Sequence, residues 1–380
     1  MIFLLLFTLI IFSQIIFSNS FLSDSSVLIQ SIGLIQLVVA WGSFLLLIVF
    51  FGQRKHNDFK KGFSAFGGFI LFGVPAMVYM IPGLIFHFTN IEYFKFSGWI
   101  LSGFLFLGIL VGIFYGRWNW KTHRIQLSFP HFPDELESLK IVQISDIHVG
   151  SFFNNHTKVE RAIDMINSLD ADYVFFTGDL VNNTASEMDG WEPVFSRIQA
   201  KKGKYSILGN HDYGDYVRWE HDSHKAENLQ RLIEKHRDIG FTPLLNQSVQ
   251  LEKDIWLLGV ENWGKAPFRQ SGKLAETLYN VPESALKILL SHDPSHFDLQ
   301  VLNTNIDLTL SGHTHGMQFG IERFGIKWSP VSLRYKKWAG LYREGNQYLY
   351  VNRGFGYLGF PGRVGIYPEI TEITIKKDFC

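Results

Sequence analysis

Five short segments in the second half of the chain carry side chains that bind metals. They are Asp146-Ile147-His148, Gly178-Asp179, Gly209-Asn210-His211-Asp212, Ser291-His292-Asp293 and Gly312-His313-Thr314-His315. Asp146, Asp179 and Asn210, together with His148, His292, His313 and His315, can hold two cations side by side. A carboxylate has two oxygens and can bridge such a pair. Two metals a few ångströms apart stabilise both the attacking and the leaving oxygen in displacement at phosphorus. Any one segment occurs by chance; five in order, each after an apolar stretch, make a specific pattern. The only cysteine is Cys380, so no intramolecular disulfide can form. The donors are nitrogen and oxygen, which suits manganese, iron or zinc.

The elements that must position these residues are short apolar strands. Strands are predicted over 139–145, 172–177 and 204–208, running into Asp146, Gly178-Asp179 and Gly209-Asn210. Further strands over 255–260, 286–290 and 307–310 also stop at or just before a polar residue. A helix is predicted over 157–169, with Val159, Ile163, Met165 and Ile166 on one face. Polar residues placed just after strands gather at one edge of a sheet, where open α/β sheets build their sites. The expectation is an α/β fold, two sheets packed together with helices outside. Residues 213–240 read as an inserted loop and helix capping the site.

In this order the segments resemble the calcineurin-like metallophosphoesterase superfamily over roughly 139–375. The chain as a whole resembles its subgroup of transmembrane proteins with a metallophosphoesterase domain. The resemblance implies a four-layer α/β sandwich, two mixed sheets flanked by helices. It implies two divalent metal ions, one held by Asp146, His148, Asp179 and His315 and the other by Asp179, Asn210, His292 and His313, with Asp179 bridging. It further implies cleavage of a phosphoester or pyrophosphate bond by metal-activated hydroxide. His211 would stand at the leaving group as a proton donor, with Asp212 holding its ring. Protein Ser/Thr phosphatases of this superfamily have Gly-Asp-X-X-Asp-Arg and Gly-Asn-His-Glu; here the first motif continues Leu180-Val181-Asn182-Asn183 and the third ends in Asp212. A phosphoprotein substrate is therefore disfavoured.

Two arginines, Arg353 and Arg363, lie in a glycine-rich C-terminal stretch. A guanidinium there could clamp a phosphate or serve a structural ion pair. His123, His131, His221, His224 and His236 read as surface or loop residues, and His156 and His296 lie near the motifs.

The first half sets the address. Charged residues are 18% of the chain, against about a quarter in ordinary soluble proteins, and the deficit falls in the first 116 residues. Stretches near 1–18, 25–53, 62–89 and 96–116 approach or exceed the roughly 20 apolar residues that cross a bilayer. The first lacks the basic start of a secretory signal and is expected to be retained. The domains expected are a transmembrane helical domain (1–116, about four helices), a linker and first strand region (117–138) and the metallophosphoesterase domain (139–380). Arg54, Lys55, Lys60 and Lys61 precede the third stretch, and Arg117, Lys121 and Arg124 follow the fourth. By the positive-inside rule both basic regions face the cytoplasm, and the catalytic domain with them. Trp118 and Trp120 read as interfacial anchors, although two shielded tryptophans at a domain start would look the same.

Balanced charge, 35 basic and 35 acidic residues, argues against nucleic acid as a partner. More helices than an anchor needs favour a lipid-linked substrate, of the UDP-2,3-diacylglucosamine type associated with the subgroup. The alternatives are a nucleotide phosphodiesterase and a membrane sensor whose metal domain only binds.

Overall fold

The computed structural model describes residues 2–24, 26–53 and 59–377, and the side chains within them except those of residues 2–8, 10, 50–53, 59 and 60. Arg54 and Lys55, the side chain of Lys60, and Cys380 thus lie outside the described residues. The chain divides into two compact units.

The first unit contains α1 (Ile2–Leu22), α2 (Val27–Gln53), α3 (Phe59–Thr89) and α4 (Glu92–Phe114). Among the described residues three stretches are long and apolar enough to cross a membrane: Val27–Val49, Lys61–Thr89 and Glu92–Trp118. In α1 the described apolar part, Ile11–Leu22, is shorter. Three of the four expected spans therefore meet the requirement of length and composition. Buried polar side chains pair with one another between these helices, as they must in hydrocarbon. The Gln14 amide donates to the Phe72 carbonyl at 3.0 Å, and Ser18 Oγ donates to Gln36 Oε1 at 2.7 Å. Pro75 and Pro82 both lie inside α3, and Ser102 Oγ of α4 donates to the Pro75 carbonyl at 2.9 Å.

The same unit takes in a distant segment, Gly359–Val364. The Arg363 N–H donates to the Gly112 carbonyl near the end of α4 at 3.1 Å, and Arg117 Nη1 donates to the Pro361 carbonyl at 3.0 Å. The expected domain scheme places this segment with the catalytic residues. Local sequence carries no sign of its partners.

The second unit is built on two six-stranded sheets. One has β1 (Lys121–Phe129), β2 (Leu139–Ile144), β3 (Tyr173–Phe176), β4 (Gly203–Ser206), β5 (Thr242–Pro243) and β14 (Glu369–Lys377), in the order β1-β14-β2-β3-β4-β5. The other has β6 (Gln247–Glu252), β7 (Ile255–Gly259), β8 (Leu286–Leu290), β9 (Leu308–Ser311), β12 (Gly340–Glu344) and β13 (Gln347–Val351), in the order β12-β13-β9-β8-β7-β6. Strands β2 to β5 run parallel, as do β7, β8, β9 and β13, and antiparallel β6 and β12 close the edges of the second sheet. A separate hairpin, β10 (Ile321–Arg323) and β11 (Ile326–Trp328), follows β9.

Strand periodicity sorts the apolar side chains into layers. Leu139 and Ile141 of β2 point between the sheets, where they meet Leu257, Ile288 and Leu310. Val142 and Ile144 point outward onto α5 (His156–Ser168), through Val159, Ile163 and Ile166, and onto α6 (Glu192–Phe195). On the far side Leu258 and Leu289 pack against α8 (Leu274–Leu278) and α9 (Ser295–Leu299). The result is the helix–sheet–sheet–helix sandwich that the resemblance implies.

Three expectations need correction. The helix of 213–240, α7 (Asp222–Asp238), buries Leu232 in the outer layer over the first sheet. It is an ordinary layer helix, and only the loop before it reaches the site. His236 on that helix is fully buried, stacked on Phe176 and bonded through Nδ1 to Ser206 Oγ at 2.9 Å. Trp118 and Trp120 belong to the second unit, where Trp120 Nε1 donates to the Phe355 carbonyl and Trp118 meets Phe152 and Tyr357. Trp120 is a core residue of that unit, and Trp118 packs half-buried against that core.

Candidate metal centre

Each predicted ligand leaves a strand at its C-terminal end. Asp146 and His148 follow β2, Asp179 follows β3, Asn210 follows β4, His292 follows β8, and His313 and His315 follow β9. Loops from both sheets thus meet at one edge of the sandwich. Five of these seven residues hold positive φ: Asp146 (53°), His148 (47°), Asp179 (62°), His313 (71°) and His315 (50°). Non-glycine residues seldom adopt that region, and where they cluster the surrounding structure over-determines them, typically at functional sites. Close approach explains Gly312: a Cβ there would stand 1.9 Å from Ser145 Oγ and 2.3 Å from Asp146 Oδ2. Beneath the loops Gln143 of β2 ties the sheets together, donating to Thr177 Oγ1 at 3.1 Å and to the Ser311 carbonyl at 2.9 Å.

The side chains converge in two groups, Asp146–His148–His315 and Asp179–His292–His313, each with its donor atoms within 4.8 Å of one another. In the first, His315 Nε2 is 3.2 Å from Asp146 Oδ1 and 3.0 Å from His148 Nε2. In the second, Asn210 Oδ1 lies 2.8 Å from His313 Nδ1 and 3.2 Å from His292 Nε2. Asp179 Oδ2 stands between the groups, 3.1 Å from His292 Nε2 and 3.6 Å from His148 Nε2. That is where a bridging carboxylate belongs. Backbone carbonyls hold the far sides of two rings: His148 Nδ1 is 3.2 Å from Val181 O, and His292 Nδ1 is 2.7 Å from Thr177 O. Such outer contacts set the tautomer and aim Nε2 at a metal.

The electrostatics match a cation site. Burial alone would raise the Asp146 and Asp179 carboxyls, yet the imidazoles of His315 and His292 hold them below the usual range. Burial alone would lower His292, but the Asp179 charge drives it up to about 10. Burial pushes His148 and His313 down, which leaves neutral rings with lone pairs to donate. Buried carboxylates are normally paired or bound to metals. This donor set fits two divalent ions, with nitrogen and oxygen ligands and no thiolate.

His211 lies beside the groups. Its N–H donates to Asp179 Oδ1 at 2.8 Å, and its ring meets that of His148 at 4.9 Å. Its Nδ1 is 2.7 Å from the Asn182 carbonyl, so Nε2 is the nitrogen placed to exchange a proton. Burial lowers this ring, a pull that the Asp179 charge opposes. Asp212 does not hold the His211 ring, contrary to expectation. Its carboxylate accepts from the N–H groups of Gly209 at 2.8 Å, Asp179 at 2.9 Å and Leu180 at 2.9 Å, which pins the two loops together. Burial, and then the Asp179 charge, raise its carboxyl to about 7.

Arg353 does not join the centre. Arg353 is buried between two carboxylates: Nη1 is 2.6 Å from Glu369 Oε2, and Nη2 is 2.6 Å from Glu322 Oε1. Its planar fork is committed to an ion pair rather than to a phosphate. Arg363 groups with the helical unit. His296 bonds to Ser291 and Gln300, and His156 packs on Trp191.

Sequence reasoning missed the rim. Tyr335 Oη donates to Asp293 Oδ2 at 3.1 Å and stands 3.0 Å from His313 Nε2. The Phe268 ring packs edge-on against His313 at 4.6 Å, and the Arg334 guanidinium covers Phe268 at 5.3 Å. Tyr216 packs against the His211 ring at 4.5 Å and accepts from the Asn210 amide at 2.7 Å. Asp293 was within reach because it follows His292 directly; the others come from loops without a motif.

Residues 139–317 match the calcineurin-like phosphoesterase family. A protein of Bacillus subtilis named uncharacterized metallophosphoesterase YkuE is 31% identical over 262 residues, covering 67% of this chain and 84% of its own. A transmembrane protein with metallophosphoesterase domain from Danio rerio is 29% identical over 266 residues, 68% of this chain and 57% of its own. The protein of the same name from Bos taurus is 28% identical over 270 residues, 66% and 56% respectively. The matched region thus spans little more than half the length of the two vertebrate relatives.

Proposed function

We infer that this chain, which belongs to the calcineurin-like phosphoesterase family, hydrolyses a phosphoester or phosphoanhydride bond at the paired carboxylate–histidine centre. The observation that carries the reading is Asp179 Oδ2, set between two ligand groups drawn from both sheets. Bound divalent cations would supply charge neutralisation at phosphorus and acidify the attacking water. The chain's own residues do the rest. Asp146, His148 and His315 would hold one ion and Asn210, His292 and His313 the other, with Asp179 shared between them. His211, its tautomer set by the Asn182 carbonyl, hands a proton to the leaving oxygen through Nε2. Arg334 and the aromatic rim shape the approach of a phosphorylated substrate. The nitrogen and oxygen donors suit manganese, iron or zinc.

The protein is membrane-bound through its apolar helices, which favours a substrate presented at a bilayer. The narrower expectation of a UDP-2,3-diacylglucosamine-type substrate rests on that address alone. A sensor that only binds metal has no need of His211 aligned beside the centre. Detergent-purified full-length protein with manganese is expected to hydrolyse bis-(p-nitrophenyl) phosphate. Asp179→Asn is expected to lose both metals, measured by elemental analysis, and all turnover. Wild-type protein that binds two metals but shows no turnover would sink the hydrolase reading.

A further inference from the structure

The hairpin β10–β11 is amphipathic in the wrong sense for a protein that meets only water. Ile321 pairs with Trp328, and Arg323 with Ile326, so these four share one face. That face is exposed, including Ile321, Ile326 and Trp328. The other face carries Glu322 and Lys327. Glu322 is tied to the buried Arg353, and Lys327 Nζ donates to the Ala339 carbonyl. The hairpin therefore turns its charged pair toward the domain and its apolar side chains out.

Its tip carries the observation further. Phe324 is 96% exposed and holds φ +55°, followed by Gly325 at φ +77°. Positive φ at both central residues of a two-residue turn favours Asn-Gly or Gly-Gly; a phenylalanine there is strained and gains nothing from burial in the fold. Leu333, in the next loop, is 88% exposed. Between Ile321 and Trp338 the sequence has five cations (Arg323, Lys327, Arg334, Lys336, Lys337) against one anion, Glu322, a net +4 in a chain of net zero charge. Protruding apolar side chains ringed by lysine and arginine are the signature of an element seated at an anionic lipid surface.

The chain joins this element's base to the helical unit over a short stretch of sequence. The first unit includes Gly359–Val364, which bonds to Gly112 near the end of α4. The next residue, Gly365, belongs to the second unit and packs on the hairpin's base: a Cβ there would lie 1.9 Å from the Gly320 carbonyl. One peptide bond thus separates the root of the hairpin from a segment packed among membrane-spanning helices. The metal-site loop ends two residues before Gly320, and Arg334 and Tyr335 continue the same stretch onto the rim beside His313.

We propose that the β10–β11 hairpin with the Leu333 loop is a membrane-docking element, which inserts Phe324, Trp328 and Leu333 at the headgroup–acyl boundary of the bilayer that the helices cross. Of its cations, the exposed Arg323, Arg334 and Lys336 face anionic headgroups, whereas Lys327 and Lys337 bond within the domain; docking holds the metal centre's rim against the lipid surface. The inference does not depend on which ester is cleaved.

The test uses the full-length chain with Cys380→Ser, so that one introduced cysteine carries an environment-sensitive fluorophore. Phe324→Cys is compared with Tyr279→Cys, a residue 85% exposed beside α8, which packs against β6 and β7 at the other end of the second sheet from β12. Both proteins are reconstituted into phosphatidylcholine–phosphatidylglycerol vesicles, with and without lipid bearing a nitroxide near the headgroup. The expected result is severalfold quenching and blue-shifted emission at 324, and water-like, unquenched emission at 279. Two results overturn the proposal. One is water-like emission at both positions. The other is blue-shifted emission at 324 that nitroxide lipid does not quench, which would mean that protein, a second copy included, covers the tip. The readout needs no turnover, so a failed activity assay leaves it standing on its own.

Discussion

The Asp212 carboxylate accepts four backbone N–H groups from the loops that carry Asp179 and Asn210. Asp212→Ala would leave those donors buried without an acceptor, at about 1–3 kcal/mol for each one not rescued. The expected outcome is a lower Tm together with weaker metal binding; unchanged metal affinity in thermal-shift titrations would count against it. His211→Ala should behave differently, because the neighbouring ligand ring of His148 keeps its own backbone partner, the Val181 carbonyl. Turnover is expected to fall by about 100-fold or more while elemental analysis still finds the metals. Full activity in that variant would remove the proton-donor assignment. The ligands themselves could be recognised from sequence because each follows an apolar strand and carries a donor of distinct chemistry. The partners of Asp212 could not, since backbone N–H groups have no residue type to mark them.

At the scale of elements the ion pair of Arg353 joins three parts of the chain: β14 through Glu369, the hairpin through Glu322, and its own loop after β13. Burial would raise Glu369, but the Arg353 guanidinium outweighs it and draws the carboxyl down to about 2. A folded-state value below the ordinary 4.5 means stability that is complete above pH 4.5 and lost as pH falls toward 2. Glu369→Gln is therefore expected to flatten the acid-unfolding curve within that window. At neutral pH it should also destabilise the domain by roughly 3–5 kcal/mol, because Arg353 stays buried with one partner fewer. Equal steepness in the two acid-unfolding curves would refute this. The six strands predicted with bounds fall within two residues of β2, β3, β4, β7, β8 and β9, 286–290 without error, since short apolar runs bounded by glycine and polar residues allow little else; the remaining strands had no such signal. The role of α7 was misread. Its charged surface suggested a cap, whereas Leu232, Ile239 and the buried His236 place that stretch of chain in a packed outer layer.

For the whole molecule, the two basic regions at 54–61 and 117–124 are separated by two spans, α3 and α4. With both of these helices spanning, the positive-inside rule predicts one side for both regions, the cytoplasmic side, whether or not α1 crosses. A C-terminal green fluorescent protein fusion is expected to fluoresce and a C-terminal alkaline phosphatase fusion to stay silent; the reverse would place the metal centre outside. The sequence alone supplied the candidate ligands, two packed sheets with helices outside, and the apolar membrane helices. These follow from residue type and short-range periodicity, which act within a few positions. Only the tertiary structure decided the rest: Arg353 as a clamp between elements, Trp120 as core with Trp118 packed against it, the return of 359–364 to the helical unit, and the outward apolar face of the hairpin. Each of these depends on partners tens to hundreds of residues away, which no local pattern specifies.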